Sequence, residues 1–141
     1  MRNKTTMIMV MSILTVIIGM IFNFQEFLMG STATIKNLIV TLAYIIIWIL
    51  ILVISIQNKN HRVIKCFSVL WIVTSLIAMV TAYVNITGAS ADWAIPLAIL
   101  LLGQWYGIHF FVTSFLTSSI IVASISLVMS LVCIVMLRHT K

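Results

Sequence analysis

The sequence predicts an all-α integral membrane protein. The expected form is a bundle of four transmembrane helices with a re-entrant or interfacial segment before the last helix. Three observations carry this expectation. Of 141 residues, 63% are apolar and 7% charged, with a mean hydropathy of +1.28, whereas a soluble domain carries about 45–50% apolar and about 25% charged residues. Four stretches, at about 6–24, 38–56, 66–84 and 116–137, approach the roughly 20 residues needed to cross about 30 Å of hydrocarbon. The basic residues stand outside these stretches, where they orient a membrane chain and meet anionic headgroups. The net charge of +6 therefore points to a membrane surface and not to nucleic acid.

The first span follows Arg2 and Lys4 and runs over Met7–Phe24, 18 residues, longer than a signal-peptide core of about 7–15. The small trio Ser31-Thr32-Ala33 lies well past its end, so an uncleaved span is expected. The second span, through Ala43-Tyr44-Ile45-Ile46-Ile47-Trp48-Ile49-Leu50, is bulky and β-branched and is expected to face lipid or another protein. Trp48 near its middle is a candidate contact knob, or simply a lipid-facing side chain. The third and fourth spans are uniformly apolar with interspersed serines. All spans must be helical, because an unpaired backbone group in lipid costs several kcal/mol.

A fifth apolar stretch, 95–111, is interrupted by Gly103-Gln104-Trp105-Tyr106-Gly107 and His109. Charge counting bears on whether it crosses, since Lys and Arg accumulate in short cytoplasmic loops. With four spans and a cytoplasmic amino end, Arg2, Lys4, Lys59, Arg62, Lys65, Arg138 and Lys141 lie inside and Lys36 alone outside. With five spans the division falls to five against three. The four-span arrangement is favoured, with both termini cytoplasmic. The stretch then enters from outside and returns, or lies along the interface. Pro96 suits the first turn of a short helix, and Gly103 and Gly107 permit a bend. The alternative is a fifth span with a polar kink.

Helices in lipid associate through small residues and cross-helix hydrogen bonds. The last span carries Ser119, Ala123, Ser126, Ser130 and Cys133 at steps of 4, 3, 4 and 3, a heptad seam. The first offers Ser12, Thr15, Gly19 and Asn23, and the third Ser68, Ser75, Ala78 and Ala82. These stripes predict close packing in preference to a polar conduit.

Signals for chemistry are few. No Asp, Glu, Lys or Arg falls inside the four spans, which argues against proton-coupled transport and voltage sensing. Glu26 and Asp92 share the outer side, but nothing sets their separation. His61, Cys66, Cys133 and His139 form a Cys₂His₂ inventory at spacings of five and six residues, which place each pair on different helix faces, so no metal site is expected. Two cysteines 67 positions apart make no redox motif. Asn85-Ile86-Thr87 matches a glycosylation acceptor on the outer side. No lipidation box, nucleotide loop, nucleophile elbow or HExxH is present. The segment Gly103–His109 is the one candidate binding element: Gln104 and His109 supply donors and acceptors, and Trp105 and Tyr106 a flat wall. The competing reading makes Trp93, Trp105 and Tyr106 an interfacial aromatic belt.

The expectation that follows is a single-domain, non-catalytic, cofactor-free multi-pass protein of a plasma membrane. Its short loops and small size suit a bacterial one. It would act by helix–helix association, as an accessory or immunity-type subunit or as a homo-oligomer. Its partners would be the lipid bilayer and a second copy or larger membrane protein, with no nucleic acid. The alternative is a small channel or facilitator with Gly103–His109 lining its pathway.

Overall fold

A computed structural model describes residues 2–139, with side chains from Lys4 to Arg138; Lys141, which the charge count assigns to the cytoplasmic side, lies outside the described residues. The described residues form helices and the short connections between them: α1 Arg2–Met29, α2 Ile35–Gln57, α3 His61–Thr87, a single 3₁₀ turn Asp92–Ala94, α4 Ile95–Leu102, a 3₁₀ segment Gly103–Phe110, and α5 Phe115–His139. Five stretches are long and apolar enough to cross a membrane: Lys4–Met29, Ile35–Gln57, His61–Thr87, Asp92–Phe110 and Phe115–Arg138.

The long helices overrun the expected spans by several residues at most ends. Their termini are set locally. Asn37 Oδ1 accepts the backbone N–H of Thr34 at 2.8 Å before α2, and Asn60 Oδ1 accepts from Val63 N at 3.4 Å at the start of α3. Gly88, at φ 68°, ends α3 in the left-handed conformation that favours glycine, with its N–H on Val84 O. Pro96 stands in the first turn of α4, where its missing N–H is not needed.

Two packing units make up the bundle. In the first, α3 and α5 run antiparallel along a seam of small residues. In the second, α1 and α2 hold the stretch Asp92–Phe110 against α3. The course of that stretch follows from its neighbours. Ala94 and Ile95 lie beside Val80 and Val84, near the end of α3. Leu100 and Leu101 reach the level of Val16 and Leu70, near the middle of α1 and α3. Gly103 then lies by Met20 and Gly107 by Asn37, at the start of α2, while Tyr106 donates to Ser31 O in the α1–α2 connection. Both ends of the stretch thus lie at the end of the bundle carrying the α1–α2 connection. The reversal falls where α-helix gives way to 3₁₀, at Leu102 and Gly103. The expected glycine-flanked bend is helical instead of open loop, since 3₁₀ bonds keep the backbone paired. An eight-residue 3₁₀ run is long for this conformation.

Burial corrects two expectations. Trp48 is 1% exposed and faces no lipid. The apolar exterior of α2 is its other side, including Ile39, Leu42, Ile46 and Leu50. Leu101 through Gly107 are buried without interruption, so Trp105 and Tyr106 are interior and only Trp93 stays exposed as a belt residue would. A helix lying in an interface keeps one wet face, and this element has none over those seven positions.

Candidate functional site

The element that gathers most chemistry is the 3₁₀ segment Gly103–Phe110, and α2 builds most of its socket. Along α2 the buried residues Asn37, Thr41, Tyr44, Trp48 and Ser55 recur at steps of 4, 3, 4 and 7, which puts them on one face. Asn23 of α1 completes the polar floor. Its Oδ1 accepts from Asn37 Nδ2 at 3.0 Å, and its Nδ2 donates to the Gln104 carbonyl at 3.3 Å. The Thr41 hydroxyl donates to that carbonyl at 2.7 Å and accepts Gly107 N–H at 2.9 Å. Gln104 Nε2 donates to Leu101 O at 2.8 Å and to the Tyr44 hydroxyl at 3.3 Å. All five side chains are at most 4% exposed. In a low-dielectric interior such bonds are strong and their loss is costly.

Close approach makes this socket possible. A Cβ on Gly107 would stand 2.3 Å from Asn37 O and 2.6 Å from Thr41 Oγ1. One on Gly19 would stand 2.9 Å from Gln104 Cβ. At the rim of the socket Lys36 pairs with Glu26, joining the end of α1 to the start of α2.

Below this floor the aromatic residues form a continuous cluster. Tyr44 meets Trp105 at 5.3 Å between ring centroids, Trp48 meets both Phe67 and Trp71 at 5.1 Å, and Trp71 meets Trp105 at 6.2 Å, all edge to face. That geometry suits the ring quadrupoles. The indole N–H groups of Trp71 and Trp105, and Gln104 Oε1, are buried without a hydrogen-bond partner.

The four candidate binding residues therefore separate into two groups. Gln104 faces α1 and α2 as part of the floor. Trp105, Tyr106 and His109 line a small cavity of about 60 Å³ with Phe27, Phe115 and Ser118. His109 packs on Phe115 at 4.4 Å and on Tyr106 at 4.9 Å. Of the candidate packing residues, Ser12, Gly19, Ser75, Ala78, Ser119, Ala123, Ser126 and Ser130 are all buried. Ser75 Oγ donates across the seam to Ala123 O at 3.2 Å, while the Ser12 hydroxyl returns to Ile8 O in its own helix at 2.8 Å. Because α3 and α5 cover these faces within one chain, their stripes are not open for a second copy.

Other candidates are dispersed. Glu26 is engaged with Lys36, and Asp92 is exposed beside the end of α3. Cys66 is exposed and Cys133 buried, both as free thiols. Among the described residues no three His, Cys, Asp or Glu are grouped as metal ligands. Asn85 lies within α3, its amide donating to Thr81 O at 2.8 Å. Sequence reasoning missed Asn37, Thr41 and Tyr44 as socket residues, although their heptad spacing was there to be read. Comparison with protein-family models, curated proteins and solved structures finds no match.

Proposed function

We propose that this chain is a four-span plasma-membrane protein with an outer re-entrant segment, and that it acts by association with other membrane components. The cationic end of the bundle is placed in the cytoplasm, following the bias of basic residues. The accessory or immunity-type role is preferred to transport.

The observation that carries this reading is how polar groups at depth are used. Asn23, Asn37, Thr41 and Gln104 are bonded to one another and to backbone, so they fasten the segment in its socket instead of lining a path. Two cavities, of about 430 and 420 Å³, have almost wholly apolar walls between α1 and α2 and between α1 and α3. Neither offers the polar lining an ion or hydrophilic solute needs.

Purified protein reconstituted in liposomes, compared with cross-linking in intact membranes, tests the proposal. The expected result is no ion flux above protein-free vesicles, together with a discrete cross-linked complex. Flux that changes with His109→Ala would overturn it in favour of a channel.

A further inference from the structure

We propose that the groove between α1 and α3, on the inner side of the α4 tip, holds one acyl chain of an anionic glycerophospholipid whose phosphate rests on Arg62. The inference rests on reading the helices as membrane spans. The groove follows from the fold. Asp92–Phe110 fills the space among α1, α2 and α3 only from the outer end to about mid-depth. The inner half between α1 and α3 is left as an open furrow of about 420 Å³, with Leu100 and Leu101 at its upper end and Trp48 in its floor. That volume lies within the roughly 300–1,000 Å³ of small-molecule sites.

Its chemistry selects a hydrocarbon occupant. The one hydroxyl in the wall, Ser12, is committed to Ile8 O at 2.8 Å. The remaining lining is aliphatic or aromatic apart from the Cys66 thiol. The inner end is bridged by Asn60 Nδ2 donating to Thr5 Oγ1 at 2.7 Å, so the furrow has a defined mouth between α1 and the first turns of α3.

Charge selects the headgroup. Arg62 precedes Cys66 by four residues and therefore stands one turn nearer the inner end on the same helix face. Lys59 and Lys65 flank it in sequence, and all three are exposed. The whole chain has only two acidic side chains, Glu26 and Asp92; the first is paired with Lys36 and the second lies beyond the far end of α3. No side-chain carboxylate of this chain is available to Arg62, Lys59 or Lys65. A basic pocket between helices on the cytoplasmic side is a recognised setting for anionic headgroups.

The test is native mass spectrometry of the full-length, delipidated protein in detergent, titrated separately with dioleoyl phosphatidylglycerol and dioleoyl phosphatidylcholine. Maleimide labelling of the exposed Cys66 gives a second readout. One phosphatidylglycerol adduct is expected, retained about fivefold better than phosphatidylcholine, the effect of one surface cation on an anionic lipid. Bound lipid should slow Cys66 labelling. Arg62→Gln should equalise the two lipids. Ile13→Trp and Leu100→Trp, on two walls of the groove, should each abolish the adduct while circular dichroism and unfolding temperature stay as in the parent. Equal retention of both lipids by the parent would overturn the headgroup assignment. Adducts persisting in both folded groove-filling variants would overturn the site. So would a parent spectrum in which a second copy of the chain, and no lipid, protects Cys66. Loss of the lipid site leaves the flux and cross-linking results standing, so the two proposals fail separately.

Discussion

The α3–α5 seam and the socket around Gly103–Phe110 both bury small and polar side chains, but they are held by different means. Along the seam, Ser119, Ala123, Ser126, Ser130 and Cys133 keep strict heptad spacing against Ser68, Ser75 and Ala78. The Ser75 hydroxyl donates across it to Ala123 O. The seam is a packing surface, where shape counts and hydroxyls are nearly incidental. The socket draws on three separated places in the chain and joins them through bonds spanning 60 to 81 residues. Here the polar side chains of Asn23, Asn37, Thr41 and Tyr44 bond to one another, to Gln104 or to backbone, and Gln104 Oε1 alone of the floor has no partner. The first unit should be sensitive to side-chain size, and the second to hydrogen bonding and to any added carbon at the glycines.

Gly107→Ala should have the largest effect. Its Cβ would overlap the Asn37 carbonyl and the Thr41 hydroxyl, so the segment must withdraw and abandon the Gly107–Thr41 bond. Overpacking of about 1–3 kcal/mol adds to a buried unpaired amide of about 1–3 kcal/mol, giving a loss of about 4 kcal/mol. Denaturant unfolding in detergent measures it; a parent-like midpoint would mean that Gly107 does not sit against α2. Ser126→Leu comes next and probes the seam by size. Ser126 is fully buried, so the two extra heavy atoms of a branched side chain must push α3 from α5, costing about 2 kcal/mol. Ala123→Leu should act in the same direction. Stability and oligomer size unchanged in both would remove the seam from the description.

Thr41→Val reverses the test, keeping the volume and removing the hydroxyl. Gly107 N–H loses its acceptor and the Gln104 carbonyl one of its two donors. About 1–2 kcal/mol should be lost, with amide exchange at Gly107 faster than in the parent. A neutral result would show the socket to be held by shape, like the seam.

This difference also explains what could be read in the sequence. A long apolar run needs only its own residues to declare a helix, and the stripe on α5 needs only its own spacing to declare a packed face. The four long helices and the seam residues were legible for that reason. The socket was not. Asn37, Thr41 and Tyr44 lie in a helix whose bulk of isoleucine and leucine suggested an outward-facing surface, and their meaning depends on Gln104 and Gly107, 60 or more positions away. The same dependence left Trp48 undecided between a contact residue and a lipid-facing one. A mid-span tryptophan is ambiguous alone, and becomes interior only once Phe67, Trp71 and Trp105 are brought around it. The polar segment itself was visible, since five residues in Gly103–His109 break the apolar pattern. Its burial was not, because nothing local records which helices will enclose it.

The smallest predicted effects separate hydroxyls within the seam itself. Ser75 and Ser126 occupy the same interface and are both buried, but only Ser75 donates to a partner, while the Ser126 hydroxyl is left without one. Ser75→Ala should cost about 0.6 kcal/mol, the average for a hydrogen bond between helices in a membrane protein. Ser126→Ala removes a buried polar atom that has nothing to lose, so its effect should be close to zero or slightly stabilising. The pair is informative because the two substitutions delete the same atom from the same helix–helix contact, cancelling changes in side-chain volume and helix propensity. Equal destabilisation by both would mean that Ser126 does bond across the seam, and α3–α5 would then resemble the socket after all. A loss confined to Ser75→Ala keeps the two regions distinct: one fastened by assigned bonds, the other by the fit of small side chains.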